Sequence, residues 1–226
     1  MSRAYFITGT DTGVGKTSVA VALLQAAAKR GMSTAAVKPV AAGCELTSEG
    51  LHNDDALFLQ RACTLALSYE QINPFALQPA IAPHFAAARK GLRLDAGQLA
   101  AHCRSVLELK ADFTVIEGAG GWRVPLNENE SFAGIAKLLA VPVILVVDIK
   151  LGCLNHALLS AEGIHADGLV LAGWVANQAT AVDECHAEMV ADLQGRLASP
   201  LLGDLPHSLN QDELAAHLDL AGLLEV

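Results

Sequence analysis

Two lysines, two acids and a threonine are the residues of this chain whose types and positions could do chemistry. Lys16 and Thr17 close the run Gly9-Thr10-Asp11-Thr12-Gly13-Val14-Gly15-Lys16-Thr17. A glycine-rich turn between an apolar strand and the start of a helix converges several backbone N–H groups on one point, and the helix start adds about half a positive charge. That is a phosphate cradle, in which the lysine serves the β- and γ-phosphates and the hydroxyl serves Mg²⁺. The spacing departs from G-x-x-x-x-G-K-[ST]: Thr10 stands where the first glycine belongs, and Gly9 comes one residue early. The bland alternative is a plain glycine turn at a strand–helix joint, which the Lys-Thr pair after Gly15 opposes.

Lys38 lies near the end of an apolar strand expected over 34–40, where an ammonium is costly unless an anion meets it or its stem carries it to the surface. Glu117 ends the apolar run Phe113–Ile116, the position of the second Mg²⁺-directed carboxylate in a P-loop protein, where aspartate is usual. Asp55, beside Asp54 at the start of a short helix, is a further acid; a solvated first-turn charge is its other reading. Mg²⁺ takes one or two carboxylates beside phosphates and waters, so Thr17, Asp55 and Glu117 form a candidate metal set. The histidines offer no H-E-x-x-H pair, and His102, His165, His186 and His217 sit on helical stretches that read as solvent-facing. No Ser-His or Cys-His arrangement suggests an enzyme nucleophile.

The elements that must position these groups alternate. Strands are expected over 4–7, 34–40, 113–116, 142–147, 169–176 and 201–202, and helices over 16–30, 54–62, 96–109, 131–140, 152–165, 181–197 and 212–217. Between 64 and 91, Pro74, Pro79 and Pro83 interrupt any long helix, so that stretch reads as an excursion with a short helix near its end. The pattern predicts an α/β fold: one doubly wound domain over 1–226 with a mainly parallel sheet flanked by helices. Its strand order is not readable from the sequence.

Composition agrees. In 226 residues, 52% are hydrophobic but only 4% aromatic, which suits buried parallel strands and close-packed helices. A formal charge of −9 argues against a nucleic-acid partner, whose phosphates need clustered Lys and Arg. Five cysteines without a C-x-x-C spacing support neither a disulfide framework nor a zinc site and point to the reducing cytoplasm. The apolar run near Leu138–Val147 is broken by Pro142 and falls short of the roughly 20 residues that span a membrane, so no membrane partner is expected.

Five strings, G-T-D-T-G-V-G-K-T at 9–17, K-P-V-A-A-G at 38–43, E-G-A-G-G-W at 117–122, K-L-G-C-L-N-H at 150–156 and G-W-V-A-N at 173–177, together resemble the dethiobiotin synthetase family, over nearly the whole chain. The resemblance implies an ATP-dependent cyclo-ligase of biotin biosynthesis, which closes the ureido ring of dethiobiotin from 7,8-diaminononanoate, CO₂ and MgATP. It implies Lys16 and Lys38 as catalytic residues, with the substrate bound near Thr12, Lys38, Ala42, Gly118 and Gly121. It implies ATP as co-substrate along Gly13, Val14, Gly15, Lys16, Thr17 and Ser18, with Asp55, Glu117, Gly118, Ala119 and Gly120 beside the phosphates. Adenine would meet Asn177, Pro206, His207 and Ser208, with Glu213 near the ribose. Family members are homodimers, so Gly152, Cys153, Leu154 and Asn155 would hold the carboxylate of a substrate bound in the neighbouring subunit.

Three departures accompany the resemblance. Gly13 stands where some members have glutamate, and His207 replaces a larger aromatic. Ala42 lacks the hydroxyl that many members offer the substrate, a role that a backbone N–H or Cys44 nearby could take over. The rival reading is a partitioning or positioning ATPase switch. Such proteins carry a signature lysine where this chain has Asp11, and a basic patch or amphipathic tail, whereas 214–226 contains no Lys or Arg.

Overall fold

The computed structural model describes residues 2–179, 184–207 and 210–224. Strands are β1 (Arg3–Gly9), β2 (Thr34–Val37), β3 (Val40–Ala42), β4 (Glu45–Thr47), β5 (Gly50–His52), β6 (Phe75–Leu77), β7 (Phe113–Gly121), β8 (Val143–Asp148), β9 (Leu171–Asn177) and β10 (Leu201–Leu205). Six of them form the central sheet in the order β10-β9-β8-β1-β7-β2, and every pairing in it is parallel. The chain therefore fills one side of β1 first and then crosses to the other, the doubly wound pattern, with its switch point at the carboxyl end of β1.

The helices are α1 (Lys16–Ala28), α2 (Asp54–Ala62), α3 (Tyr69–Ile72), α4 (Pro83–Ala88), α5 (Ala96–Leu107), α6 (Ala133–Leu139), α7 (Cys153–Ala166), α8 (His186–Arg196), α9 (Gln211–Leu214) and α10 (Ala221–Leu224). Beyond α9, Ala215–His217 forms a single 3₁₀ turn. All six residues of β8 are buried, and α1 is buried along most of its length, which its alanines permit by letting the helix lie close to the sheet. Tyr5 packs on Phe113 with ring centroids 5.4 Å apart, and Phe6 meets Trp122 edge-on at 6.0 Å. These aromatics clamp β1 to β7, the two strands whose carboxyl ends carry the phosphate loop and Glu117.

Several boundaries differ from the sequence expectation. The second strand stops at Val37, because Pro39 has no N–H to give a ladder, and Val40–Ala42 instead pairs with Phe75–Leu77 outside the main sheet. The strand expected to end at Glu117 runs on to Gly121, so the glycines continue the sheet and Gly121 lies beside Gly9. The loop expected before Asn53 contains a hairpin of β4 and β5. The excursion holds not one short helix but two: Ser68 and Gln71 form a capping box that starts α3. The sixth helix begins at Ala133 rather than 131, since Ser131 is bridged to Pro125. The late helix starts at His186, and part of its expected beginning lies outside the described residues.

Candidate active site

The phosphate loop takes its shape from three close approaches. Gly15, at φ +89°, precedes α1, and a Cβ there would lie 2.1 Å from Asn177 Nδ2. The Asn177 amide donates to the Val14 carbonyl at 2.8 Å, tying the loop to the end of β9. A Cβ at Gly9 would lie 2.5 Å from Val14 Cγ2 and 3.1 Å from Lys16 Nζ. The early glycine is thus required by the loop's own folding over β1, and Thr10, whose N–H donates to Val146, continues the β-ladder instead. Lys16 Nζ donates to the Asp11 carbonyl at 2.9 Å.

Beside the loop, four side chains meet, from α1, α2, β7 and the link between β2 and β3. Lys38 Nζ donates to Glu117 Oε1 at 2.6 Å and to Asp55 Oδ2 at 2.7 Å, and Thr17 Oγ1 donates to the same Glu117 oxygen at 2.8 Å. Lys38 is 6% exposed and Glu117 1%, whereas the Asp55 side chain is 46% exposed. Burial alone would lower the Lys38 pKa, but the Glu117 and Asp55 carboxylates outweigh it and hold the ammonium above its ordinary value. Lys16 goes the other way: burial, aided by the Lys38 charge and opposed by Glu117, pushes it down to about 8. Asn53 caps α2, accepting from the Ala56 N–H at 3.4 Å, and so aims Asp55 at this cluster.

Glu117 Oε2 is buried without a hydrogen-bond partner. An unmatched carboxylate oxygen next to a threonine hydroxyl fits a hard cation that takes oxygen ligands. Among the described residues no three His, Cys, Asp or Glu side chains converge as a metal cage. The donor set therefore suits Mg²⁺ completed by phosphates and waters rather than a metal enclosed by protein.

Two clefts flank the loop. The larger, about 670 Å³, contains Thr12, Lys16, Thr17, Ser18, Lys38, Ala42, Asp55, Glu117 and Gly118–Gly120, and its far wall is Ala80, Ile81, Ala82 and Pro83. The smaller, about 260 Å³, is lined by Gly13, Gly15, Ser18, Asn177, Gln178, Ala179, Pro206, His207 and Leu214. His207 Nδ1 lies 3.0 Å from the Gln178 carbonyl.

Other candidates fall elsewhere. Gly121 lines neither cleft, and nor does the stretch Gly152–Asn155 at the start of α7. Glu213 is tied to Asn210 in a reciprocal cap, and Ser208 lies outside the described residues. Cys44 is buried and bonded to the Ala41 carbonyl rather than facing the cleft, so its thiol does not replace the hydroxyl absent at Ala42. His186, expected to face solvent, is buried, with Nε2 2.8 Å from Asp204 Oδ2. The wall at 80–83 and Gln178 carried no chemical signal in the sequence; the closely spaced Pro79 and Pro83 were the one available hint of a fixed turn.

A loop lysine and threonine between first strand and first helix, with a carboxylate on the neighbouring strand, define a P-loop nucleotide-binding protein. The family model described as an AAA domain matches residues 3–213. The GDP complex of the signal recognition particle receptor FtsY from Elizabethkingia anophelis superposes with a TM-score of 0.58 at 14% identity, covering 96% of this chain and 63% of that one, a likeness of fold. The sequence is 55% identical over 222 residues to the ATP-dependent dethiobiotin synthetase BioD of Pseudomonas paraeruginosa, covering 97% of each chain. It is 54% identical to that of Cellvibrio japonicus, over 99% of this chain and 98% of the relative, and 50% identical to that of Marinobacter nauticus, over 99% and 98%. The chain belongs to the ATP-dependent dethiobiotin synthetase family.

Proposed function

We propose that the larger cleft closes the ureido ring of dethiobiotin from 7,8-diaminononanoate, CO₂ and ATP, releasing ADP and phosphate, as the ATP-dependent ligase step of biotin biosynthesis. The observation that carries this reading is the meeting of Lys38, Thr17 and Glu117 in the cleft that also contains Lys16 and Thr12. One substrate amine takes up CO₂ as a carbamate. A carbamate oxygen attacks the γ-phosphorus and displaces ADP, giving a carbamic-phosphoric anhydride. The second amine then attacks the carbonyl carbon, phosphate leaves with the C–O bonding pair, and the ring closes as the amine loses its proton.

Each step gathers negative charge at the mouth of the loop, so the protein's work is positioning and electrostatics. Lys16 is assigned to the γ-phosphoryl oxygens and Lys38 to the carbamate and the oxygen it transfers. When bound, Mg²⁺ supplies charge neutralisation across the phosphates. Thr17 Oγ1, Glu117 Oε2 and Asp55 are the groups that would hold it. The apolar wall at 80–83 matches the alkyl chain between the amines and the substrate carboxylate. In the smaller cleft Asn177, Pro206 and His207 are assigned to adenine.

The site is read as completed by a second copy. Gly152–Asn155 line neither cleft, Leu151 beside them is 92% exposed, and α7 begins there without a side-chain cap, a helix start whose dipole suits a carboxylate. Mixing inactive Lys38→Ala and Asn155→Ala proteins should then restore activity in heterodimers, and verified heterodimers without recovery would exclude the shared site. The five free cysteines support a reducing cytoplasmic setting, and among the described residues no helix is long and apolar enough to cross a membrane. A single core cluster running through the whole sheet supports one domain over 1–226.

The decisive experiment supplies bicarbonate, MgATP and 7,8-diaminononanoate and looks for dethiobiotin by mass together with ADP. ATP turnover that does not depend on the diamine would favour the ATPase-switch reading instead.

A further inference from the structure

The excursion between 64 and 91 is attached to the Lys38 cluster at two points. The Lys38 main chain is held on both sides: its N–H donates to the Ile72 carbonyl at 2.7 Å, and its carbonyl accepts from Asn73 Nδ2 at 2.7 Å. Asn73 is 2% exposed, and its Oδ1 accepts from the Tyr69 hydroxyl at 3.1 Å. That hydroxyl in turn accepts from the Asn53 N–H at 2.8 Å. Asn53 is the cap of α2, two residues before Asp55, and its Nδ2 reaches the Ala42 carbonyl in the cleft wall at 3.4 Å.

We propose that Asn73 and Tyr69 are positioning residues, a hydrogen-bonded strut that fixes the backbone of Lys38 and the start of the helix carrying Asp55 at one separation. This rests on the assignment of Lys38 and Asp55 to the reactants. A lysine stem of four carbons magnifies any tilt of its own peptide planes, so a reactive ammonium at its tip needs both flanking peptide groups anchored. Asp55, half-exposed and met from inside by Lys38 alone among the contacts above, needs its helix start anchored for the same reason. The Tyr69 hydroxyl is the joint between the two anchors. It accepts from Asn53 while donating to Asn73, and burial pushes its pKa up, which keeps that donor proton in place. The His52 ring, 4.1 Å from the Tyr69 ring, fixes the phenol in this pose.

A misplacement of about 1 Å at reacting groups can cost roughly 10²-fold in rate, which sets the scale. In Tyr69→Phe, kcat should fall at least about tenfold and the Mg²⁺ concentration for half-maximal turnover should rise several-fold. ATP binding measured without Mg²⁺ should stay within about twofold, because the adenine-side cleft does not touch the strut. In an Asp55→Asn background, Tyr69→Phe should add no further Mg²⁺ shift, the non-additivity that a role through Asp55 requires. Asn73→Asp keeps an oxygen for Tyr69 but turns an acceptor toward the Lys38 carbonyl, and should lower kcat with little effect on Mg²⁺.

Melting temperatures separate these effects from loss of fold. If Tyr69→Phe is unfolded at the assay temperature, Asn73→Asp decides alone: a tenfold or greater loss of kcat in folded protein supports the strut and an unchanged kcat overturns it. Unchanged kcat and Mg²⁺ dependence in folded Tyr69→Phe, or an equal Mg²⁺ shift with and without Asp55, overturns it as well. Lys38→Ala is the control for the underlying assignment: if that variant turns over normally, the reading of the cleft fails and the strut's positioning role with it, whereas an impaired Lys38→Ala beside an unimpaired, folded Tyr69→Phe overturns the strut alone.

Discussion

The two clefts beside the phosphate loop are built in different ways. On the larger side, side chains hold one another: Lys38 bridges two carboxylates, and Thr17 shares one of their oxygens. On the smaller side the contacts are between side chains and the backbone, Asn177 on the Val14 carbonyl and His207 beside the Gln178 carbonyl. A cluster of paired buried charges is stiff and intolerant, because removing one partner leaves the other uncompensated at a cost of about 3–5 kcal/mol. A pocket held through the backbone tolerates changes in the side chains that line it. The proposed function puts the reaction on one side and base recognition on the other, and substitutions can test that division.

Lys38→Ala should give the largest effect: turnover falls by about 10²–10³-fold while ATP affinity changes little, with the melting temperature reporting the unpaired Glu117. Retained turnover would dissolve the distinction between the clefts. Gly15→Ala acts on both sides at once, since it strains φ +89° and drives a Cβ into Asn177. ATP affinity by calorimetry should fall about a hundredfold, the combined cost of roughly 1–2 kcal/mol of backbone strain and a displaced amide bond.

A third expectation concerns pH. With its pKa lowered to about 8, Lys16 is fully charged only below that value, and phosphates favour the charged form. Affinity for ATP should therefore be flat at neutral pH and weaken as pH rises through 8, by up to about tenfold per unit. Calorimetry at pH 8.5, roughly half a unit above that midpoint, in buffers of different ionisation enthalpy should show proton uptake on binding. The smallest change belongs to His207→Ala, for which KM for ATP should rise by about three- to tenfold with kcat preserved. A loss of kcat there instead would mean that the clefts are not separable.

The candidate site residues were legible because their types are costly where they sit. A lysine at the end of an apolar strand and a glutamate closing another announce an ionic partner, and the two proved to be partners of each other. Glycines and prolines blurred the boundaries nearby. E-G-A-G-G reads as a loop but lies within β7, where the register shifts, Gly120 turns through φ +60° and Gly121 pairs again beside Gly9; Pro39 ends β2 early by withholding an N–H. Elements of three or four residues, such as α3, β3 and β6, leave no periodicity to read, although the Ser68 and Gln71 capping pair was available in the sequence. His186 read as solvent-facing because one helical position says nothing of the strand beside it, and Asp204 on β10 is what makes its burial tolerable. The early Gly9 looked like a defect in a motif and became intelligible only once Val14 and Lys16 were seen folded over it.

The strand order has a further consequence. Residues 3–121 supply β1, β2 and β7 with the ion-paired cluster, and residues 143–214 supply β8, β9 and β10 with six of the nine residues that line the smaller cleft. The stretch between β7 and β8 is thus a seam in the gene as well as in the sheet. On the proposed assignment of the clefts, a crossover between two relatives at that seam would exchange most of one parent's base-side lining for the other's and leave the ion-paired cluster inherited whole.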